Sequence, residues 1–332
     1  MAKPLALTMG EPAGIGGELS LLAWREAKHG NVPTFFVIDD ARRLARLSER
    51  LGLQVAVREI QAPEQAAEVF PDALPVWPLA VDEDVTLGKP DAATASAVIA
   101  SIEHAVTAVR TERAGAVVTN PIQKSVLATA GFRHPGHTEF LAALDEAPHA
   151  PVMMLAIDEL KVVPVTIHLP LRKVADELTT AAIVHCVTVT AAALTRDFGL
   201  ASPRIAVSGL NPHAGEGGLL GREEQSVIEP AIAALTEQGY QVAGPFPADS
   251  LFHETARHGY DVAICMYHDQ ALIPLKTLDY HNGVNVTLGL SFIRTSPDHG
   301  TALDIAGRGT ADPRSLLAAL RTAARMAEQR SR

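Results

Sequence analysis

The N-terminal stretch Leu5-Ala-Leu-Thr-Met-Gly-Glu-Pro-Ala-Gly-Ile-Gly-Gly-Glu18 has the pattern of a strand, a glycine-rich turn and the start of a helix. The apolar run at 5–8 is typical of a buried strand, and residues 17–28 have helical periodicity. Short apolar runs alternate with longer helical patterns along the rest of the chain. This alternation predicts an α/β protein with mostly parallel strands.

The pattern predicts where the elements lie. We expect strands at 5–8, 34–38, 116–119, 162–167, 204–208 and 262–267, and helices at 17–28, 41–51, 91–111, 138–144, 175–198, 223–238 and 313–329. The proline-rich stretch 61–78 is interpreted as an irregular surface excursion. Because ligands collect at the carboxyl ends of parallel strands, we expect functional residues just after the strands.

Composition limits the class of protein. The 332 residues suggest two domains, and 47% apolar with 20% charged residues argues against disorder. A net charge of -10 argues against nucleic acid as the main partner. Cys186 and Cys265 lie in apolar runs and are expected to be buried thiols in a reducing compartment. Neither a signal peptide nor a membrane-spanning run is expected, since the longest apolar candidate, 152–171, contains charges and prolines. We therefore expect a cytoplasmic protein that does not enter a membrane.

Three histidines follow predicted strands or end them: His168, His213 and His268. Three imidazoles are a sufficient set of protein ligands for a catalytic divalent metal, and they leave positions open for substrate. Their spacing fixes no geometry, and a structural role is the better interpretation of any one histidine taken alone. Asp269 directly follows His268 and could orient its ring.

Two other regions gather cations. Residues 119–139 bring Lys124, Arg133, His134, His137 and Thr138 onto one strand-to-helix connection, which favours binding of a phosphate or carboxylate. Residues 276–294 place Lys276, Asn285 and Arg294 among apolar neighbours, so either acidic side chains or an anionic ligand should satisfy the cations.

Two glycine-containing loops could bind a cofactor. Gly14 and Gly16 allow backbone amides to approach an anion at a helix N-terminus, but they serve a tight turn equally well, and the dinucleotide fingerprint is absent. In the loop from Asp298 to Pro313, Gly300 permits a tight turn, His299 could face an adenine and Asp304 could accept from a ribose hydroxyl. An ordinary helix-entry loop remains the alternative for this segment.

Seven segments together resemble the 4-hydroxythreonine-4-phosphate dehydrogenase family of pyridoxal 5'-phosphate (vitamin B6) biosynthesis. They run in order along nearly the whole chain, and the Asn-Pro-His-Ala-Gly-Glu-Gly and Met-Tyr-His-Asp-Gln segments are the most specific. The segments are Gly10-Glu-Pro-Ala-Gly-Ile-Gly16, Pro135-Gly-His-Thr-Glu139, Thr166-Ile-His-Leu-Pro-Leu171, Gly209-Leu-Asn-Pro-His-Ala-Gly-Glu-Gly217, Gly244-Pro-Phe-Pro-Ala-Asp249, Met266-Tyr-His-Asp-Gln270 and Asn285-Val-Thr-Leu-Gly-Leu290. The 298–307 loop also resembles the adenosine-binding loop of isopropylmalate and isocitrate dehydrogenases.

The resemblance implies a fold of two α/β/α domains like that of isocitrate and isopropylmalate dehydrogenases. The first domain, on the cofactor side, would comprise 1–130 with 292–332, and the second, on the metal and dimer side, 131–291. The family's proteins are homodimers with the active site in a cleft completed by the second subunit. One histidine ligand would then come from the partner chain.

The resemblance also implies roles for single residues. His168, His213 and His268 match ligands of a divalent metal (zinc, magnesium or cobalt). The positions that match substrate-binding residues are His137, Thr138, Lys276, Asn285 and Arg294, and Lys124 would help to hold the phosphate. Gly14, Gly16, His299, Gly300 and Asp304 are the candidates for binding NAD or NADP, and Asp249 and Lys276 those for proton transfer.

The implied reaction is NAD(P)-dependent oxidation of 4-phosphooxy-L-threonine at C3, followed by metal-assisted decarboxylation to 3-amino-2-oxopropyl phosphate. Two departures from the family pattern are Gly17, where proline is usual, and Gln123, where His, Asn or Ser is expected. Gln123 slightly favours a related dehydrogenase of threonate or erythronate 4-phosphate. A phosphate acyltransferase and a phosphometabolite-binding protein are the alternatives of another class.

Overall fold

The two ends of the chain fold together, and the middle forms a second compact unit. Unit 1 consists of Met1–Ala150 and Leu290–Arg332, and unit 2 of Pro151–Gly289. The boundaries expected from the family resemblance are 130/131 and 291/292. The structure is a computed structural model that describes residues 2–27, 30, 32–81, 84–134, 136–147 and 149–331.

The strands of the described chain are short and separated mostly by helices. They are β1 (Leu5–Thr8), β2 (Phe35–Asp39), β3 (Val57–Glu59), β4 (Leu74–Pro78), β5 (Val117–Val118), β6 (Val152–Ile157), β7 (Leu160–Thr166), β8 (Ile205–Ser208), β9 (Val242–Phe246), β10 (Val262–Tyr267), β11 (Val284–Leu288) and β12 (Arg294–Pro297). The helices are α1 (Gly16–Ala27), α2 (Ala41–Arg50), α3 (Ala66–Val69), α4 (Ala95–Arg110), α5 (Lys124–Thr129), α6 (His137–Asp145), α7 (Val174–Glu177), α8 (Thr180–Phe198), α9 (Glu229–Glu237), α10 (Ala248–Leu251), α11 (Glu254–Arg257), α12 (His268–Leu278) and α13 (Arg314–Arg330).

Unit 1 contains a parallel sheet in the order β3-β4-β2-β1-β5-β12. The side chains of β1 and of β2 are buried along their whole length, as expected for strands covered on both faces. The last strand, β12, pairs with β5 through Arg294 opposite Val117. Arg294, at the start of β12, therefore lies beside β5.

Unit 2 contains a mixed sheet in the order β11-β6-β7-β10-β8-β9. β6 runs antiparallel to both β11 and β7, whereas β7, β10, β8 and β9 are parallel to one another. The predicted α/β class with mostly parallel strands is confirmed.

The interpretation of 61–78 as an irregular surface excursion was wrong. Its last part is β4, which lies between β2 and β3 and buries Leu74 and Val76 completely. Proline is tolerated at Pro75 because the ladder to β3 uses its neighbours: Leu74 donates to the carbonyl of Ala56, and Val76 accepts from Ile60.

Two helical segments of the described chain, Ala92–Arg110 and Thr180–Phe198, are long and apolar enough to cross a membrane by length and composition. No such segment is expected from the sequence. Half of the first window and 44% of the second are buried within the protein, as in helices that pack against a core.

A buried ion pair supports the glycine-rich turn of unit 1. Asp39, fully buried at the end of β2, accepts from Arg43 Nε at 3.0 Å and from Nη2 at 2.5 Å. Arg43 Nη1 also donates to the carbonyl of Pro12 at 3.1 Å. The pair thus joins β2, α2 and the turn that precedes α1.

Replacing Asp39 should strongly destabilise the protein. In Asp39→Ala, the Arg43 guanidinium stays buried without its carboxylate, and we expect a loss of about 3–5 kcal/mol in the free energy of unfolding. Urea denaturation measures this loss. Arg42→Ala is the matched control, because Arg42 is 81% exposed beside Asp40 and its removal should cost within about 0.5 kcal/mol. Equal effects of the two substitutions would contradict a structural role for the buried pair.

Candidate functional site

Two of the three predicted histidines meet at the edge of the unit 2 sheet. His168 follows β7, and His268 begins α12 directly after β10. Because these strands are parallel neighbours with Tyr267 opposite Thr166, the residues that follow them emerge side by side. The two imidazole ring centres lie 6.1 Å apart.

This separation lies within the reach of one metal ion. Imidazole nitrogens bind zinc at about 2.0–2.1 Å, so two rings on one ion have centres about 5 Å apart in tetrahedral geometry and no more than about 6.5 Å apart in any geometry. His268 Nδ1 lies 2.7 Å from the carboxylate of Asp269, which holds the ring and leaves Nε2 available as a ligand. The pair and its carboxylate therefore fit a divalent metal.

His213 lies in an unusual backbone segment. It follows β8 within the turn Pro212–Gly218, and the five residues from His213 to Gly217 have positive φ values between 43° and 77°. Three of them, His213, Ala214 and Glu216, are not glycine. Such a run is a left-handed turn, which costs roughly 1–2 kcal/mol for each residue that has a side chain. Among the described residues, no three His, Cys, Asp or Glu side chains are grouped closely enough to hold a metal.

The other unit 2 candidates occupy separate elements. Lys276 is half-buried in the last turn of α12, with Nζ 5.7 Å from the ring centre of Tyr280. It lies about 12 Å along the helix axis from His268, and side chains of a helix lean toward its N-terminus. Asn285 is half-buried on β11, and its Oδ1 has no hydrogen-bond partner in the described part of the chain. Asp249 is exposed in the first turn of α10.

In unit 1, the predicted cation Arg294 is almost completely buried. It is 3% exposed at the start of β12, and its Nε and Nη2 donate to the hydroxyl of Thr119 at 3.2 and 2.7 Å. Burial lowers the pKa of Arg294 to about 10. The group is still charged at neutral pH, so a desolvated positive charge stands beside the end of β5.

His137 completes a cationic cluster with Arg294 and Lys124. Burial, and then the positive charges of Arg294 and Lys124, hold the pKa of His137 well below its ordinary value. Its Nε2 is buried and has no hydrogen-bond partner among the described residues. His137 and Thr138 form the first turn of α6, where free backbone N–H groups also favour an anion. The cluster has the chemistry of an anion site.

The other members of the predicted cation group lie differently. Arg133 is exposed, and His134 packs against aromatic rings, 5.2 Å from the centre of Phe132 and 5.1 Å from that of Phe140. Gln123, the departure noted in the sequence, accepts from the hydroxyl of Thr301 at 3.0 Å. It therefore ties the start of α5 to the loop that follows β12.

The glycines of the N-terminal turn are explained by close packing. A Cβ on Gly14 would lie 2.8 Å from the carbonyl of Thr301, and one on Gly16 would lie 2.8 Å from the carbonyl of Met9. The amide of Ile15 donates to the same Thr301 carbonyl at 3.1 Å. The turn therefore supports the loop carrying the other cofactor candidates, of which His299 is half-buried and Gly300 and Asp304 are exposed.

Three buried side chains beside the candidate residues, Thr119, Thr166 and Gln270, have no role predicted from the sequence. Thr119 binds Arg294, and the other two make hydrogen bonds between the histidine-bearing segments. The only sequence signal for Thr166 and Gln270 is their position two residues from His168 and His268.

Comparison with known proteins gives one consistent result. A family model described as Pyridoxal phosphate biosynthetic protein PdxA matches residues 31–323. Two curated relatives named 4-hydroxythreonine-4-phosphate dehydrogenase are 55% identical: one from Bradyrhizobium diazoefficiens, covering 98% of this chain and 97% of the relative, and one from Methylorubrum populi, covering 98% and 95%. The crystal structure of 4-hydroxythreonine-4-phosphate dehydrogenase from Klebsiella pneumoniae is 37% identical, covers 98% of both chains and has a TM-score of 0.90.

The burial of His137 should make stability depend on pH. Because its pKa is lower in the folded than in the unfolded protein, the unfolded state binds more protons below about pH 6.5. The free energy of unfolding should fall between pH 7.5 and 5.5, and His137→Gln should reduce this fall by on the order of 1 kcal/mol. Urea denaturation at both pH values measures the difference. His258→Gln, at an exposed histidine, is the matched substitution for comparison; an unchanged fall in His137→Gln would show that the ring takes up its proton in the folded protein.

Proposed function

The chain belongs to the family of the pyridoxal phosphate biosynthetic protein PdxA, and from this we propose that it oxidises 4-phosphooxy-L-threonine at C3 with NAD or NADP and decarboxylates the product. As a member of this family it is a dehydrogenase. The product would be 3-amino-2-oxopropyl phosphate, used in pyridoxal 5'-phosphate synthesis in the cytoplasm. Membership in the family favours this function over the acyltransferase and the binding protein.

The observation that carries the proposed mechanism is the His168–His268 pair, 6.1 Å apart at the ends of adjacent strands. We assign His168, His268 and His213 as ligands of zinc, magnesium or cobalt. A divalent ion held there would acidify the C3 hydroxyl and stabilise the enolate that decarboxylation leaves. Asp269 would keep the His268 ring in its ligating tautomer.

The residues of the chain would bind the substrate through its charges. Arg294, Lys124 and His137 would bind the phosphate or the carboxylate, with Thr138 and Thr119 supplying hydroxyl donors. The buried Arg294 charge supports this role, because an anion would offset its desolvation. Asn285, whose Oδ1 is buried, would accept a hydrogen bond from the substrate.

The remaining candidate residues are proposed to transfer protons and to bind the cofactor. Asp249 is proposed to accept the proton of the C3 hydroxyl, and Lys276 to supply a proton to the carbon that loses carbon dioxide. His299, Gly300 and Asp304 would bind the adenosine of the cofactor on the loop that Gly14 and Gly16 support.

We also propose that the chain forms a homodimer and that a second copy completes the histidine set. All the large hydrophobic side chains that are exposed in the described part of the chain lie in unit 2, and most lie near the histidines in sequence. Such exposure is typical of a surface that a partner covers. The side chains are Leu169, Leu171, Leu219, Leu220, Phe246, Ile273, Leu278 and Tyr280.

One assay tests the proposed reaction. Purified protein with 4-phosphooxy-L-threonine and each nicotinamide cofactor should produce NADH or NADPH. The absorbance of the reduced cofactor measures this product. Chelation should abolish the activity, and zinc, magnesium or cobalt should restore it, because the proposed chemistry needs a Lewis acid. Threonate 4-phosphate and erythronate 4-phosphate, which carry a C2 hydroxyl in place of the amino group, are the matched substrates. Faster turnover of either one would replace the proposed substrate with the alternative.

Mixing two inactive variants tests how the ligands are shared. In the proposed dimer, His168 and His268 of one chain meet His213 of the other. His168→Ala and His213→Ala should each be inactive alone, but together they should recover about a quarter of wild-type activity, since half of the dimers are mixed and each has one intact site. His168→Ala with His268→Ala is the control and should recover none. No recovery in the first mixture would mean that one chain supplies all three ligands.

A further inference from the structure

Buried hydrogen bonds join the three histidine-bearing segments of unit 2, and two of these bonds are made by one side chain, that of Gln270. Thr166, two residues before His168, donates its hydroxyl to the carbonyl of Met266 at 2.7 Å. The amide of Met266, two residues before His268, donates to Oε1 of Gln270 at 2.7 Å. The ends of β7 and β10 are therefore fixed to each other and to the first turn of α12.

Gln270 continues this chain of bonds to the third segment. Its Nε2 donates to the carbonyl of Gly209 at 2.8 Å, where the chain leaves β8 and enters the turn that carries His213. Gln270 is 8% exposed, and its amide binds β10 with the oxygen and the β8 turn with the nitrogen. Its two bonds thus link these backbone segments beyond the last paired residues of β8 and β10.

The turn beyond Gly209 is held as firmly on its other side. Glu224, 1% exposed, accepts from the amides of Leu210 and Asn211 at 2.8 and 2.7 Å, and from the Asn211 side chain at 2.9 Å. A Cβ on Gly215 would lie 2.6 Å from this carboxylate, so the left-handed turn wraps closely around it. A displacement at Gly209 would therefore be passed to His213, because the turn between them is rigid.

We propose that Gln270 is a positioning residue for the metal site, acting through the backbone segments that carry His268 and His213. Thr166 extends the same role to His168. The inference rests on the proposed function, since it takes the three histidines as metal ligands. Residues that hydrogen-bond metal ligands directly commonly change affinity by 10–100-fold when removed, and Gln270 acts one step further away, on the backbone of two ligand segments.

The test is cobalt binding to the purified, metal-free protein, followed by the visible absorption of the bound ion. Gln270→Glu keeps the shape and the acceptor for Met266, but it places a carboxylate against the carbonyl of Gly209 in place of a donor. We expect its affinity for cobalt to fall at least about tenfold, with a changed visible spectrum. Ile264→Val is the control, because it shortens a fully buried side chain in β10 without removing a hydrogen bond. It should lower the melting temperature of the metal-free protein and leave cobalt affinity within about twofold of wild type.

A second pair of variants covers the case in which Gln270→Glu does not fold. Thr166→Val removes the bond to Met266 and should weaken cobalt binding, whereas Thr166→Ser keeps the hydroxyl and should bind as wild type does. His168→Ala and His213→Ala should both weaken cobalt binding. If they do, wild-type cobalt affinity in Gln270→Glu would overturn the positioning role. Where Gln270→Glu does not fold, wild-type affinity in Thr166→Val would overturn it. If His168→Ala and His213→Ala bind cobalt as wild type does, the metal assignment itself is wrong and this inference falls with it.

Discussion

The parallel pairing of β7 with β10 is the constraint on which the histidine pair depends. With Tyr267 opposite Thr166, the chain leaves both strands at the same level, and His168 and His268 emerge together. A change of register by one residue would turn each following side chain to the opposite face of the sheet. Thr166 helps to fix this register, because its hydroxyl binds the carbonyl of Met266 across the two strands.

The candidate site of unit 1 depends on the burial of charged side chains, whereas that of unit 2 depends on residues that meet at the ends of neighbouring strands. Arg294 loses its hydration on β12, and the Thr119 hydroxyl that accepts from its Nε and Nη2 is neutral. His137 is kept neutral beside it, so its ring can donate or accept a hydrogen bond without adding a third charge to the cluster. A cluster built in this way is stabilised most by a ligand that brings negative charge. The same charge would be repelled by acidic side chains, which explains why a chain with a net charge of -10 concentrates cations here.

Local sequence patterns predicted the elements better than their arrangement. The strand ends before His168, His213 and His268 could be read from apolar runs, and so could the α/β class. The position of β7 next to β10 could not be predicted, because strand order depends on contacts between residues about a hundred positions apart. The stretch 61–78 was misassigned since its prolines outweighed the short apolar run of β4. The left-handed turn at His213 had a partial signal in the glycines that follow it, but His213, Ala214 and Glu216 adopt the same conformation without that signal.

The backbone strain of this turn indicates that its conformation has a functional role. Three residues with side chains in the left-handed region cost roughly 1–2 kcal/mol each, a notable fraction of the stability of a protein domain. An ordinary loop of this length has lower-energy conformations, and this turn is held by the bonds of Glu224 and Gln270 to the residues just before it. Buried hydrogen bonds to a carboxylate contribute enough to offset strain of this size. The arrangement fixes an exposed histidine at one place on the surface of unit 2, a position that a relaxed loop would leave variable. Such fixation is what the proposed role of His213, a metal ligand supplied to a second chain, would require, because a partner can meet the ring only where the fold of the first chain has already placed it.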